Sequence, residues 1–101
     1  MNGIELIAKE RQEQLEKHDI SVKNDVQFNS LAIYNGLPAL PIAAIGVLDD
    51  RFGYFPSHWN GTMYDKMRNK TYKERLIIAG ALIGAEIDRL QCVEDENKNN
   101  L

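Results

Sequence analysis

TYKERLIIAGALIGAEIDRL, residues 71–90, decides how this chain folds. Thr71 and Glu74 stand at capping-box spacing, where a hydroxyl and a carboxylate satisfy the free amides at a helix start. Residues 76–85 then carry no polar side chain, so the helix they form, predicted to reach about Val93, is buried on several sides or lies against a second copy. Gly80 and Gly84 stand four apart with Ala81 and Ala85 beside them. Glycine costs roughly 1 kcal/mol inside a helix, and close approach of another helix backbone is the expected compensation. A homodimer through Gly80 and Gly84 is therefore one expectation.

At the other end of the chain, Asn2 and Glu5 are placed to cap a helix over residues 3–17. Ile4, Ile7, Ala8 and Leu15 give it an apolar stripe, interrupted by Arg11. A connection rich in Asp, Asn and Ser leads into a second helix holding Phe28, Leu31, Ala32 and Tyr34, expected to end near Asn35-Gly36. Pro41 can open a third, short helix through Leu48, because proline is tolerated in a first turn, with a strand as the competing reading. Residues 49–70 read as a long loop with Gly53, Pro56, Asn60 and Gly61 as breakers and Phe52, Tyr54, Phe55, Trp59, Met63 and Tyr64 among them. A loop this apolar packs across a core or forms a binding surface. The expected fold is all-α, a small bundle of three to four helices with a long aromatic loop before the last helix. Residues 1–93 make a single helical domain and 94–101 a flexible polar tail.

The totals agree with one ordinary globular core: 101 residues, 44% hydrophobic and 27% charged. Cys92 is the only cysteine and can form no internal disulfide, and the first residues do not read as a secretion signal, so a cytoplasmic location is expected. No apolar run approaches the roughly 20 residues that cross a bilayer, and no membrane partner is expected. The net charge of −3 hides an uneven distribution, because residues 51–75 carry +4 and the remainder −7.

Arg11 on the first helix and Glu86 on the last can form a structural ion pair that offsets lost hydration and fixes helix register. The functional alternative is a small-molecule or metal pocket formed by Glu10, Arg11 and Glu86. Glu10, Glu13 and Glu16 are spaced by three, the minimum arrangement for holding an ion through neighbouring carboxylates, and equally the pattern of a solvated helix face. His18, His58 and Cys92 lack zinc-ligand spacing. Ser30 and Ser57 lie in no nucleophile motif, and there is no Gly-rich phosphate loop. Lys66, Arg68, Lys70, Lys73 and Arg75 alternate with Trp59, Tyr64 and Tyr72. Cations attract phosphate and exposed rings stack on unpaired bases, so contact with RNA is conceivable. The same residue types dominate protein interfaces. A third account folds the rings inward and leaves the cations solvated.

Glu10-Arg11-Gln12, Asp25, Leu31-Ala32, Trp59 and above all AGALI (79–83) with AEIDRL (85–90) resemble small phage and prophage proteins grouped with MazG-like all-α nucleotide pyrophosphohydrolases. The resemblance implies magnesium held by paired acids and cleavage of nucleoside triphosphates to monophosphate and pyrophosphate. Glu10, Asp25 and Glu86 would be the catalytic metal ligands. Two positions depart from that pattern: Ser30 stands where a glutamate is common, and Arg89 follows Glu86 where an acid belongs. With the acid set incomplete, the leading expectation is a non-catalytic phage or mobile-element-type protein, without a cofactor. It would engage a host protein or ribonucleoprotein through Trp59, Tyr64, Lys66, Arg68, Lys70, Tyr72, Lys73 and Arg75, as an anti-defence inhibitor of the anti-CRISPR kind does. The alternative is a magnesium-dependent MazG-like hydrolase.

Overall fold

A computed structural model describes residues 1–17, 21–49 and 51–99. Those residues form five helices: α1 (Gly3–Lys17), α2 (Val22–Phe28), α3 (Ala39–Leu48), α4 (Gly61–Arg68) and α5 (Tyr72–Asn99). The fold is all-α, with one helix more than the sequence suggests, and none of the described helices is long and apolar enough to cross a membrane.

Helix α5 is the element on which the others pack, touching α1, α2, α3 and α4. Thr71 caps it as expected, its hydroxyl accepting from the Glu74 amide at 3.3 Å and donating to the Glu74 carboxylate at 2.8 Å. One side of α5, through Ile78, Ala79, Leu82 and Ala85, faces the core with Leu40, Ala43, Ala44 and Val47 of α3. The α3 segment is helical from Ala39, so the strand reading of residues 37–48 falls. Pro41 sits in the first turn, where the backbone amides have no intrahelical acceptor and a missing N–H costs nothing. The C-terminal carbonyls of α3 receive a cation from another element: the Arg75 guanidinium donates to the Val47 and Leu48 carbonyls at 3.3 and 3.4 Å.

Four expectations are corrected. Helix α2 stops at Phe28, because Asn29 turns its side chain back onto Asp25 instead of continuing the helix. Asn35 and Gly36 instead form a two-residue reversal, with φ +54° and +80°, that closes an antiparallel bridge between Tyr34 and Leu37. Within the supposed loop of residues 49–70, the Asn60 side chain accepts from the Met63 amide and starts α4. At the end of the chain, α5 continues through the charged stretch 94–98 that read as a tail. Residues 100 and 101 lie outside the described residues.

The first helix is also rotated from expectation. Ile4 and Ala8 face solvent, while Gln14 is fully buried. Its amide nitrogen reaches the Glu10 carboxylate at 3.4 Å and the Ile78 carbonyl at 3.5 Å. Gly80 makes room for this helix: a Cβ there would come within 2.8 Å of the Ile7 side chain.

Candidate functional site

Helices α2 and α5 and the segment before α4 meet in a buried polar centre. Asp25 has no exposed surface, and its Oδ1 accepts from the Asn29 amide nitrogen at 2.8 Å while Oδ2 has no hydrogen-bond partner among the described residues. Burial pushes the Asp25 carboxyl up to about 6; Asn29, Arg11 and Arg89 oppose the rise, and Glu86 adds to it. The other end of the Asn29 amide holds the aromatic segment in place. Its oxygen accepts from the Trp59 indole N–H at 2.9 Å and lies 2.6 Å from His58 Nε2. Trp59 is thus tied inward through a hydrogen bond its sequence neighbours do not foreshadow.

Glu86 belongs to the same centre, but its partner is not Arg11. Both Glu86 oxygens are engaged by Arg89, Nε to Oε1 at 2.6 Å and a terminal nitrogen to Oε2 at 3.0 Å. Arg89 also donates to the Ser30 hydroxyl at 3.3 Å, and Ser30 in turn donates to the Val26 carbonyl at 2.6 Å. Arg11 lies 3.6 Å from Asp88, two residues along α5 from the expected contact. The expected Arg11–Glu86 pair is replaced because Arg89, three residues from Glu86 on the same helix, presents a two-pronged donor with less chain to order. Glu86 holds the Arg89 guanidinium more firmly protonated than usual.

The three acids that the resemblance marks as metal ligands do not converge. Glu10 lines a separate cleft of about 250 Å³ with Leu6, Lys9, Glu13, Lys70 and Glu74. Burial there raises the Glu10 carboxyl above its usual range, with Glu13 adding to the rise and Gln14, Lys70 and Lys17 opposing it. Asp25 and Glu86 share the polar centre, where two arginines balance them. Among the described residues no group of three or more His, Cys, Asp or Glu gathers around a common point. His58 is engaged by Asn29, and His18 lies outside the described residues.

The expected aromatic and basic surface is divided by the fold. Tyr64 is buried in the core, its ring stacked 5.7 Å from Phe55 and its hydroxyl pressed against Gly46 of α3. Arg68 covers the Tyr64 ring at 5.7 Å and Arg75 covers Tyr72 at 5.8 Å. Lys66, Lys70 and Lys73 remain exposed. Other rings replace the two that turn inward. Tyr34 and Tyr54 stack at 3.9 Å, Phe52 packs on both, and Tyr54 and Phe55 are about half exposed at 49% and 46%. The C-terminal end of α3 joins these groups, since Gly46 touches Tyr64 and the Tyr54 backbone while Arg75 holds the next two carbonyls. The result is a surface in which exposed tyrosine and phenylalanine lie near the half-buried Arg75.

Asn29, Tyr34, Tyr54 and Arg89 are the residues that sequence reasoning passed over in building these sites. Asn29 stands four after Asp25 and Arg89 three after Glu86, both at helical neighbour spacing, so a weak signal existed. Asn35-Gly36 is a recognisable two-residue turn signal, but nothing local announces that Tyr34 then stacks on Tyr54, twenty residues away. Comparison with known protein families, characterised proteins and solved structures finds no match to this chain.

Proposed function

We propose that this chain is a non-catalytic binding protein of phage or mobile-element type, acting in the cytoplasm, that engages a host protein or ribonucleoprotein as an anti-defence inhibitor does. One observation carries the reading: Tyr34 and Tyr54 stack with Phe52 beside the end of α3, where Arg75 holds the last carbonyls and covers Tyr72, with Lys66, Lys70 and Lys73 exposed in the adjoining stretch of chain. Tyrosine and arginine contribute most at protein interfaces because they carry large contact area and a polar tip at little cost in ordering. The lysines around them would speed encounter with an acidic or phosphate-bearing partner.

The rival reading, a MazG-like pyrophosphohydrolase, needs Glu10, Asp25 and Glu86 at one magnesium ion. The donor set fits that ion poorly. Glu86 has both oxygens committed to Arg89, and Glu10 opens onto another cleft. The supporting result is a stoichiometric partner recovered from host extract, retained about tenfold less well after Tyr54→Ala and after Tyr72→Ala. Retention indifferent to both changes refutes the binding reading. Pyrophosphate release from any nucleoside triphosphate with magnesium or manganese, abolished by Glu86→Gln, establishes the hydrolase instead.

A further inference from the structure

The outer side of α5 carries an apolar stripe that, apart from Gly80 beneath Ile7, is about half exposed among the described residues. Leu76, Ile83, Ile87 and Leu90 are 43%, 49%, 60% and 46% exposed and follow one another at intervals of seven, four and three residues. That alternation of three and four is the seam of a paired helix, where side chains of one strand fit between those of the other. Ile4 of α1, 77% exposed, lies one turn before the Ile7 that packs on Gly80, and so widens the stripe on that side. Gly84, next to Ile83, has open space where its side chain would be.

The charges at the two ends of α5 say what covers this stripe. Its first part and the residues just before it hold Lys66, Lys70, Lys73 and Arg75 against Asp65 and Glu74, and its last part holds Glu94, Asp95 and Glu96 against Lys98. Two copies of α5 laid antiparallel about a two-fold axis near Ile83 and Gly84 place Lys73 of each against Glu94 of the other. A parallel pair would set Lys73 against Lys73 and Glu94 against Glu94. The antiparallel register also brings Leu76 opposite Leu90, and it aligns the helix dipoles favourably. From Lys73 to Glu94 the helix runs ~31 Å, and a face two helices wide is ~20 Å across, so the footprint is ~600 Å² a side, at the lower edge of stable interfaces.

We infer that the occupant of this stripe is a second copy of the chain, in a two-fold antiparallel pairing of α5. This pairing takes Lys73 from the proposed binding face, and it is centred on Ile83 and Ile87 rather than on the rings of Tyr34, Phe52 and Tyr54. The test is the mass in solution by sedimentation across a concentration series, with helicity measured alongside. The chain at high micromolar concentration is expected at twice its 11.5 kDa. Ile87→Lys, on an exposed position, is expected to keep helicity and return the mass to 11.5 kDa, weakening association at least 30-fold. Lys73→Glu and Glu94→Lys should each weaken it about three- to tenfold at low salt, and the two together should restore it. A mass of 11.5 kDa at every concentration refutes the pairing, as does a dimer indifferent to Ile87→Lys. A dimer lost with Ile87→Lys but not rescued by the double reversal refutes the antiparallel register.

Discussion

Replacing Asp25 with asparagine should make this protein more stable at neutral pH and change it little in acid. The carboxyl has an ordinary value of 3.8 and stands at about 6 in the folded chain, chiefly because burial disfavours its charge. Between those two values the folded chain keeps a proton that the unfolded chain has released, so the group's contribution to stability falls as pH rises. Only well below the ordinary value of 3.8 do both states hold the proton, and there no cost remains. At about 1.4 kcal/mol per unit the full cost is about 3 kcal/mol, of which about 2 kcal/mol accrues between pH 4.5 and 7.5. Asparagine has the same shape, keeps an oxygen for the Asn29 amide and carries no charge to desolvate. Arg89 keeps Glu86 and Arg11 keeps Asp88, so neither arginine is left without an acid. Urea titrations of both proteins at pH 4.5 and 7.5 are therefore expected to diverge by about 2 kcal/mol in favour of the D25N variant, roughly 10 °C in Tm for a chain of this length. Glu10 titrates in both proteins and cancels in the comparison. An unchanged difference across that range, or a carboxyl resonance of Asp25 titrating below pH 4.5, would refute the reasoning.

Three further changes probe neighbouring contacts. Asn29→Ala removes the amide that ties Asp25 to Trp59, and should cost about 2 kcal/mol with a red shift of tryptophan emission as the indole is freed. Glu86→Gln leaves a largely buried Arg89 without its acid, and a loss of about 3 kcal/mol in urea unfolding is expected. Gly46→Ala drives a methyl group into the Tyr64 hydroxyl and should cost about 2 kcal/mol. Tyr64→Phe, which deletes that oxygen, should recover part of the loss in the double variant, as a thermodynamic cycle would show.

How far the sequence could be read depended on how locally each feature was specified. The capping pairs Asn2/Glu5 and Thr71/Glu74 act over three residues, and both appear as expected, Asn2 accepting from Glu5 at 2.9 Å. Helix α3 was readable for the same reason, with an uninterrupted apolar run and a proline where proline is tolerated. Helix α4 was hidden because its starting signal, Asn60 followed by Gly61, is also a turn signal, and the side-chain bond from Asn60 to Met63 decides between them. The rotation of α1 was hidden by Gln14, whose burial depends on a carbonyl sixty-four residues away. For the polar centre, sequence identified Asp25 and Glu86 as important but misassigned the arginine. Two arginines could reach the region, and the choice between them follows from the crossing of α1 over α5, which no local pattern encodes. The surface rings were the least legible. Trp59 and Tyr64 have the composition of an interface yet are drawn inward by Asn29 and Gly46, and their place outside is taken by Tyr34 and Tyr54.

Because α1, α2 and α3 all rest on α5, the platform they need is synthesised after all three of them. Until about residue 90 has left the ribosome, the wholly apolar α3 has nothing to close against, and its greasy side chains stay open to any neighbour. Synthesis of α1, α2 and α3 and their burial against α5 are thus separated in time. A chain halted short of α5 should be a substrate for chaperones and proteases rather than a smaller version of the same protein.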